Sequence, residues 1–318
     1  FEGNTYVIVY DGNIYNLKEL KLELEQYDFC FSTNSDAEVI LKGYIHFRES
    51  FVNKLNGVFA FAIFDKNQNS LFIARDHFGI KPFYYTIINN TFVFASEIKA
   101  LFQFPNVNPK MDSMGICELI GIGPAHTPGV TVFKDIYEIK PAHYGIYNDG
   151  GFHSKSYWKL ISKPHTDSLG KTCETIKYLL EDSIKKQLVS DLPVCSFLSG
   201  GLDSSIISLY AANYYKVNDL NTYSVDYVDN DKNFVKSDFQ PNSDNYYIEL
   251  MSKRLYSEHH NIVLDTPELA DALEAAMIAR DVPGMADIDS SLLLFCKNVK
   301  PEASIALTGE CADEIFAG

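Results

Sequence analysis

Positive charge is scarce in this sequence. Its 27 lysines and arginines stand against 42 aspartates and glutamates, a net charge of −15. So acidic a chain repels phosphate backbones and anionic lipid headgroups, which excludes nucleic acid and membranes as expected partners. No apolar run is long enough to span a bilayer, and no secretory leader pattern stands at the start. Cysteine is sparse and unpatterned. Cys30, Cys117, Cys173, Cys195, Cys296 and Cys311 form no CxxC pair and have no histidine at zinc spacing. Reduced thiols, and with them a cytoplasmic protein, are the expectation. His259 and His260 are adjacent, so a regular element turns them to different sides and disfavours a shared metal. What is abundant is core material. Hydrophobic residues make up 46% and aromatics 14% of 318 residues, enough for about two domains at ~150 residues each.

The two halves follow different patterns. Residues 1–160 are rich in strand signals. The stretch "TYVIVYDGNIY" reads as a strand running into an Asp-Gly turn, and "NLKELKLELEQ" repeats Leu17, Leu20 and Leu24 at helical spacing. "SDAEVILKGYIHF" predicts a second helix capped by Ser35 or Asp36. "GVFAFAIFD" is too continuously apolar for a half-exposed strand, so both its faces are expected to be covered. Further short strands follow, with Asn89-Asn90 as a hairpin turn. Blocks of strands with outer helices predict a layered α+β domain.

From 161 to 318 strands and helices alternate, which predicts a parallel α/β sheet. "CETIKYLLEDSIKKQL" places Ile176, Leu179, Leu180, Ile184 and Leu188 on one stripe. "VCSFL", "NTYSVDY", "HHNIVL" and "SIALTG" then read as strands, separated by helical stretches. The polar segment "VDNDKNFVKSDFQPNSDN" is long for a connection, and reads as a solvated loop or a lid.

Two loops in this second half carry chemistry. "LSGGLDSSI" at 198–206 puts glycines between a strand and a helix, where backbone N–H groups and a helix N-terminus make an anion site. A structural alternative is that Ser199 or Asp203 only caps the helix. No lysine follows these glycines, so this is not the GxxxxGK[ST] phosphate loop. Asp203 stands where phosphate would lie, and two anions there need a cation between them. An oxygen-seeking ion such as Mg²⁺ meets that need with one or two carboxylates plus phosphate oxygens. "SIALTGECADEIF" is a second strand ending in glycine, followed by Glu310, Asp313 and Glu314 on one helical face. A solvated first turn explains three such acids on its own. Yet both loops follow strands of one expected parallel sheet, and ligands bind outside the carboxyl ends of such strands.

These residues resemble a known family. "SGGLDSS" is similar to the pyrophosphate loop of the ATP pyrophosphatases, and "LTGECADEIFAG" to the second nucleotide loop of the asparagine synthetases among them. "VYDGNIYN", "NSDAEVIL", "LNGVFAFAIFD", "RDHFGIKPFYY" and "FASEIKAL" resemble the glutaminase domain of the same family, in order and spacing. The resemblance implies an N-terminal-nucleophile-hydrolase-like glutamine amidotransferase domain over 1–160. It also implies an adenine-nucleotide α-hydrolase-like synthetase domain over 161–318. Aspartate, ATP, and glutamine or ammonia would be substrates, with Mg²⁺ as cofactor and a homodimer as the assembly. By this resemblance Ser199, Gly200, Gly201, Asp203 and Ser204 cradle pyrophosphate. Leu198 and Val225 contact adenosine, and Thr308 and Gly309 bind the nucleotide from the other side. Asp203 and Asp313 hold Mg²⁺, and Glu310 is the acid–base residue. Asp11, Gly12, Asn13 and Asp36 match glutamine-binding positions. "RDHFGIKPFYY" and "FASEIKAL" read as structural.

The sequence also departs from the family pattern. The family's nucleophile is an N-terminal cysteine, expected upstream of Phe1, and none of the six cysteines inherits that role. The usual Asn-Gly-Glu is replaced by Asp-Gly-Asn, and an ionised Asp11 has no N–H to donate to an oxyanion. A β-lactam-synthetase-like cyclase and a non-catalytic nucleotide-binding scaffold remain as alternatives. The corner "ARDVPGMADIDSS" reads as a helix–loop–helix connection with Asp287 and Asp289 ahead of a helix, or as part of an acceptor pocket.

Overall fold

The computed structural model describes residues 3–190, 192–215, 220–236 and 243–316. The chain divides into two compact units. One comprises Phe1–Lys163 with Asp281–Pro283, the other Pro164–Arg280 with Gly284–Gly318.

In the first unit the elements run β1 (Tyr6–Ile14), α1 (Leu17–Glu25), α2 (Asp36–Phe47), β2 (Gly57–Asp65), β3 (Ser70–Arg75), β4 (Tyr84–Ile88) and β5 (Thr91–Ala95). Next come α3 (Ile98–Leu101), α4 (Ser113–Gly121), β6 (Tyr137–Glu138), β7 (His143–Asn148) and β8 (Gly151–Ser156). Strands β1-β2-β3-β7-β8 form an antiparallel five-stranded sheet, and β5-β4-β6 a three-stranded one. Strand alternation sorts the side chains into layers. Phe59, Phe61 and Ile63 of β2 and Phe72 and Ala74 of β3 pack with Leu20 and Leu24 of α1 and Val39, Ile40 and Tyr44 of α2. Ala60, Ala62 and Ile73 point the other way, onto Phe83, Ile139 and the aromatics Tyr85, Phe92 and Phe94. Ile98 and Leu101 of α3 pack with Tyr84, Val93 and Ala95 of the smaller sheet. The result is helices, sheet, sheet, helix, a layered α+β unit in which β2 is covered on both faces.

Local signals explain several details. Ser35 is the N-cap of α2, its Oγ accepting from Ala37 N at 3.2 Å, so the cap is Ser35 and Asp36 is the first helical residue. Asn89 and Asn90 both have positive φ, the geometry of a type I′ hairpin turn between β4 and β5. "RDHFGIKP" is held by its own acid and base. Asp76 accepts from the backbone N of Phe59, Phe78, Ile80 and Lys81, and Arg75 donates to the carbonyls of Gly79, Lys81 and Ile139. Arg75 also pairs with Glu138, and both are buried.

The second unit runs α5 (Leu169–Gln187), β9 (Val194–Phe197), α6 (Leu202–Tyr214), β10 (Asn221–Tyr227), α7 (Asn230–Asn233) and α8 (Asn245–Leu255). It continues with β11 (Glu258–Leu264), α9 (Thr266–Arg280), α10 (Asp287–Val299), β12 (Ile305–Leu307) and α11 (Ala312–Phe316). The sheet is parallel in the order β11-β10-β9-β12. Both its faces are covered. Ile184, Leu188, Ala211, Leu220 and Leu307 form one core, and Cys195, Tyr223, Phe295, Val299 and Ala303 another. Helix α6 comes close to the sheet through small residues, Ser204, Ser208 and Ala211, and the buried Ser208 hydroxyl is satisfied by Ser196 Oγ at 2.8 Å. On α5, Ile184 and Leu188 are buried but Leu179 is 56% exposed, so the apolar stripe is narrower than its sequence suggests. His259 and His260 do face opposite ways. His259 bonds Thr222 and Ser224, while His260 stacks on Tyr223. All six cysteines are free thiols. Among the described residues no helix is long and apolar enough to cross a membrane.

Part of the long polar connection, residues 237–242, lies outside the described residues. The described part contains the single-turn helix α7. The corner at 281–286 ends sooner than expected. Helix α10 already begins at Asp287, so Asp287 and Asp289 sit in its first turn rather than ahead of it. Asp289 accepts from Arg280 Nη1 and Met285 N, both at 2.6 Å, which ties the corner together.

Candidate functional site

The order of the parallel sheet locates the site. From β9 the chain steps to β10 and then β11 on one side, and later returns to place β12 on the other. The strand order therefore reverses between β9 and β12, and such a switch point opens a crevice at the strands' carboxyl ends. The loops beyond β9 and β12 meet there. A Cβ on Gly309 would come within 2.9 Å of both Asp203 Cβ and Ser204 N, so only a residue without a side chain allows this approach.

The β9 loop is shaped by glycine and serine. Leu198 N donates to Tyr223 O at 2.8 Å, the last tie to the sheet. Gly200 has φ +80, and a Cβ there would lie 2.9–3.1 Å from Tyr247 Cβ, Ile248 N and Asp244 O of the α8 region. Ser199 and Ser204 brace the loop from inside. Their hydroxyls are 2.9 Å apart, and Ser204 Oγ accepts from Ser199 N at 3.2 Å. Gly201 is the N-cap of α6 and offers no side chain to cap it. Neither Ser199 nor Asp203 takes the capping role. The first-turn N–H groups of α6 thus form an anion-binding end, with Asp203 half-buried beside them.

A cavity of ≈ 700 Å³ opens on these loops. Of the residues singled out from sequence, Leu198, Ser199, Gly201, Asp203, Ser204, Val225, Thr308, Gly309 and Glu310 all line it. Gly200 does not; it serves the packing of the loop on α8. Asp313 is exposed on α11 and is absent from the cavity wall. Glu310 follows a turn in which Thr308 Oγ1 accepts from Glu310 N at 3.2 Å. Burial pushes the Cys296 thiol pKa up, and the nearby Glu310 charge adds to that rise.

Sequence reasoning missed a further group on this wall. Asp226, at the carboxyl end of β10, accepts from Asn245 Nδ2 at 2.9 Å, Asn230 Nδ2 at 2.7 Å and Tyr227 N at 2.8 Å. Burial works to raise its pKa, but the three hydrogen bonds outweigh it, and the carboxyl is held below its ordinary range. Tyr227 Oη meets Ser291 Oγ at 2.8 Å, and Phe197 packs edge-on against Phe295 at 4.7 Å between centroids. A carboxylate ending a parallel strand was the available signal for Asp226.

No group of three or more His, Cys, Asp or Glu among the described residues stands ready to hold a metal. The cavity wall offers single carboxylates such as Asp203, a set suited only to an ion that brings its own oxygen ligands, as Mg²⁺ does on a triphosphate. Such an ion takes one or two protein carboxylates and completes its octahedron with phosphate oxygens and water. Asp203 beside the anion-binding end supplies one such carboxylate.

In the first unit the arrangement differs from the expected turn. Asp11, Gly12 and Asn13 lie inside β1, paired with Ala60, Phe59 and Val58 of β2. Gly12 adopts φ +150, and a Cβ would meet Val58 O at 2.2 Å, so strand pairing rather than a turn demands glycine. Asp11 and Asn13 are exposed on one face of β1, with Lys81 Nζ 3.1 Å from Asp11 Oδ1. Asp36 binds elsewhere on the same strand. Its Oδ2 accepts from Tyr10 Oη at 2.7 Å and Ile14 N at 2.8 Å. Burial first, and then the bond to Asp36, push the Tyr10 phenol far up, so it stays a donor. Ile14 N and Tyr10 Oη thus lock the start of α2 to β1 around the strand segment 11–13.

An uncapped helix N-terminus and the carboxylates of Asp203, Asp226 and Glu310 share one cavity at the switch point of a parallel sheet, the place where α/β folds take their ligands. Comparison with known proteins sharpens this class. Residues 2–158 match the glutamine amidotransferase domain family and residues 175–318 the asparagine synthase family. The chain is 46% identical over its whole length to glutamine-hydrolyzing asparagine synthetase 3 of Bacillus subtilis, covering 52% of that protein. It is 35% identical to glutamine-hydrolyzing asparagine synthetase 1 of the same organism, with 100% of the chain and 48% of that protein aligned. A putative asparagine synthetase of Methanocaldococcus jannaschii is 30% identical over 98% of the chain and 58% of its own length. The chain spans about half the length of the curated relatives it matches. Over these two stretches the chain carries a glutamine amidotransferase domain followed by an asparagine synthase domain.

Proposed function

We propose that this chain carries the glutamine-binding and ATP-binding parts of an enzyme that converts aspartate to asparagine, with ammonia taken from glutamine. The observation that carries this reading is the meeting of the two loops at Gly309 and Asp203 over one cavity at the strand ends. An oxygen of the aspartate side-chain carboxylate attacks the α-phosphorus of ATP, and pyrophosphate leaves with its bonding electrons. Ammonia then adds to the activated carbonyl carbon, and AMP departs as the amide forms. The α6 N–H groups with Ser199, Gly201 and Ser204 bind and orient the pyrophosphate. Leu198 and Val225 line the adenosine side, and Thr308 and Gly309 close the site opposite. Asp203 and Asp313 would hold Mg²⁺, which would neutralise charge on the phosphates.

Glu310 supports the amide-forming step. Ammonia is mostly protonated at neutral pH, and a carboxylate on the cavity wall takes the proton released as the amine attacks. In the first unit, Gly12, Asn13, Asp11 and Asp36 form the glutamine side, with the backbone at Gly12 left bare of a side chain. Six free thiols suit a reducing compartment such as the cytoplasm, and assembly as a homodimer accords with this reading.

The test is a stoichiometry. The intact protein supplied with ATP, Mg²⁺, aspartate and ammonium should release AMP, pyrophosphate and asparagine in equal amounts. Glu310→Ala should block the amide while the protein remains folded. AMP formation driven by a β-amino-acid precursor instead would favour a cyclase, and no AMP with any carboxylate would favour a nucleotide-binding scaffold.

A further inference from the structure

Asp11 poses an electrostatic problem in a glutamine site. Hydrolysis of the side-chain amide places negative charge on the carbonyl oxygen as a nucleophile adds to carbon. A carboxylate beside that oxygen donates no hydrogen bond and repels the charge that develops.

The structure holds a counter-charge at this place. Lys81 Nζ lies 3.1 Å from Asp11 Oδ1. Lys81 itself is anchored on both sides of its backbone. Its N–H donates to Asp76 Oδ2 at 2.9 Å, and its carbonyl accepts from Arg75 Nε at 2.7 Å. Asp76 also takes Phe78 N and Ile80 N, so the whole loop from 76 to 81 is fixed to one buried carboxylate. The lysine side chain is 29% exposed against 55% for Asp11, so much of its stem is packed while its end reaches the acid. An ammonium carries three N–H donors. One meets Asp11, so a single ammonium can hold that carboxylate and donate to a further oxygen.

We propose that Lys81 is the charge partner that lets an aspartate occupy position 11. It cancels the Asp11 charge and supplies the hydrogen-bond donor that a carboxylate lacks, beside Gly12, during glutamine hydrolysis. The inference deepens the glutamine-hydrolysing reading and rests on it. Lys81 and Asp11 then act as a unit, which a double-mutant cycle detects. An exposed ion pair of this kind adds little to stability, so its removal leaves the fold standing.

The experiment measures ammonia release from glutamine by the intact protein, with kcat and KM for each variant and the thermal midpoint as the check on folding. Lys81→Met should lower kcat about a hundredfold to a thousandfold, the range of one lost oxyanion donor, with the midpoint nearly unmoved. Lys81→Arg keeps charge and donors and should stay within about threefold of the wild type. Asp11→Asn combined with Lys81→Met should recover most of the loss, because the amide is neutral and donates its own N–H. An unchanged kcat in Lys81→Met overturns the proposal, as does a double variant no better than Lys81→Met. A rise in KM alone also overturns it, since that would make Lys81 a ligand for the substrate carboxylate. A wild-type protein that forms asparagine from ammonia but never hydrolyses glutamine would refute the reading of the first unit itself, a result distinct from all of these.

Discussion

The two units hold their candidate residues by opposite means. In the first, Asp11, Gly12 and Asn13 are part of a strand, each opposite a partner in β2, and the neighbouring charges are tied to backbone by Asp36 and Asp76. In the second, the residues sit beyond the ends of strands, in loops whose paths are set by Gly200 and Gly309 and by a pair of serine hydroxyls. A strand fixes its backbone through the sheet ladder, so chemistry there can vary only in the side chains that project from it. A loop at a switch point fixes little by itself, and needs glycine wherever two segments approach closely. Substitutions in the first unit should therefore act through folding or local charge, and those in the second through ligand binding and turnover.

The strongest test of that contrast in the first unit is Arg75→Met. It leaves Glu138 buried without its guanidinium, and breaking such a pair costs about 3–5 kcal/mol. Chemical denaturation should show the whole of this loss. The matching change in the second unit is Asp203→Asn. It should cut ATP-dependent AMP formation by about a hundredfold or more, the scale of a lost charge-stabilising group, with circular dichroism unchanged. Normal turnover by this variant would remove Asp203 from the metal's ligands.

Gly309→Ala probes the loops' meeting directly. Its Cβ must push against Asp203 Cβ and Ser204 N, and overpacking of this kind costs about 1–3 kcal/mol. The loss should appear as a higher KM for ATP, with a smaller change in thermal midpoint. Equal damage to stability would mean that the loop contact serves the fold rather than the ligand.

The smallest effect concerns pH. The hydrogen bond that His126 Nε2 donates to Glu138 Oε2, at 2.7 Å, raises the His126 pKa even though burial opposes it. A raised folded-state value means the contribution is complete below the unfolded value near 6.5, and is lost as pH rises through the folded value. With the imidazole 44% exposed, solvent screening limits this to about a few tenths of a kcal/mol. His126→Gln should flatten that part of the stability profile between neutral and mildly alkaline pH.

Much of the fold was legible because local chemistry and tertiary packing agree. "GVFAFAIFD" is apolar at every turn of the pleat, and β2 is covered on both faces. Asn89-Asn90 accepts the positive φ of its turn, and Ser35 caps α2. The expected Asp-Gly turn failed for a specific reason. Gly12 is required by the approach of Val58 O across the strand pair, a contact that local pattern cannot register. Leu179 sits at helical spacing from Ile176 yet faces solvent, because hydrophobic spacing marks a stripe without marking its width. The paths of the loops after β9 and β12 were legible from their glycines. The Asp226 group was not, since it joins the end of β10 to the start of α8 across a connection whose path no local signal dictates.

The central claim is that the loops after β9 and β12 form one site at which a carboxylate attacks ATP. Exchange of labelled pyrophosphate into ATP by the intact protein measures that step in reverse. The account predicts exchange that requires aspartate and Mg²⁺, needs no glutamine, and disappears in Asp203→Asn. Exchange without aspartate, or release of ADP and phosphate in place of AMP and pyrophosphate, would contradict it.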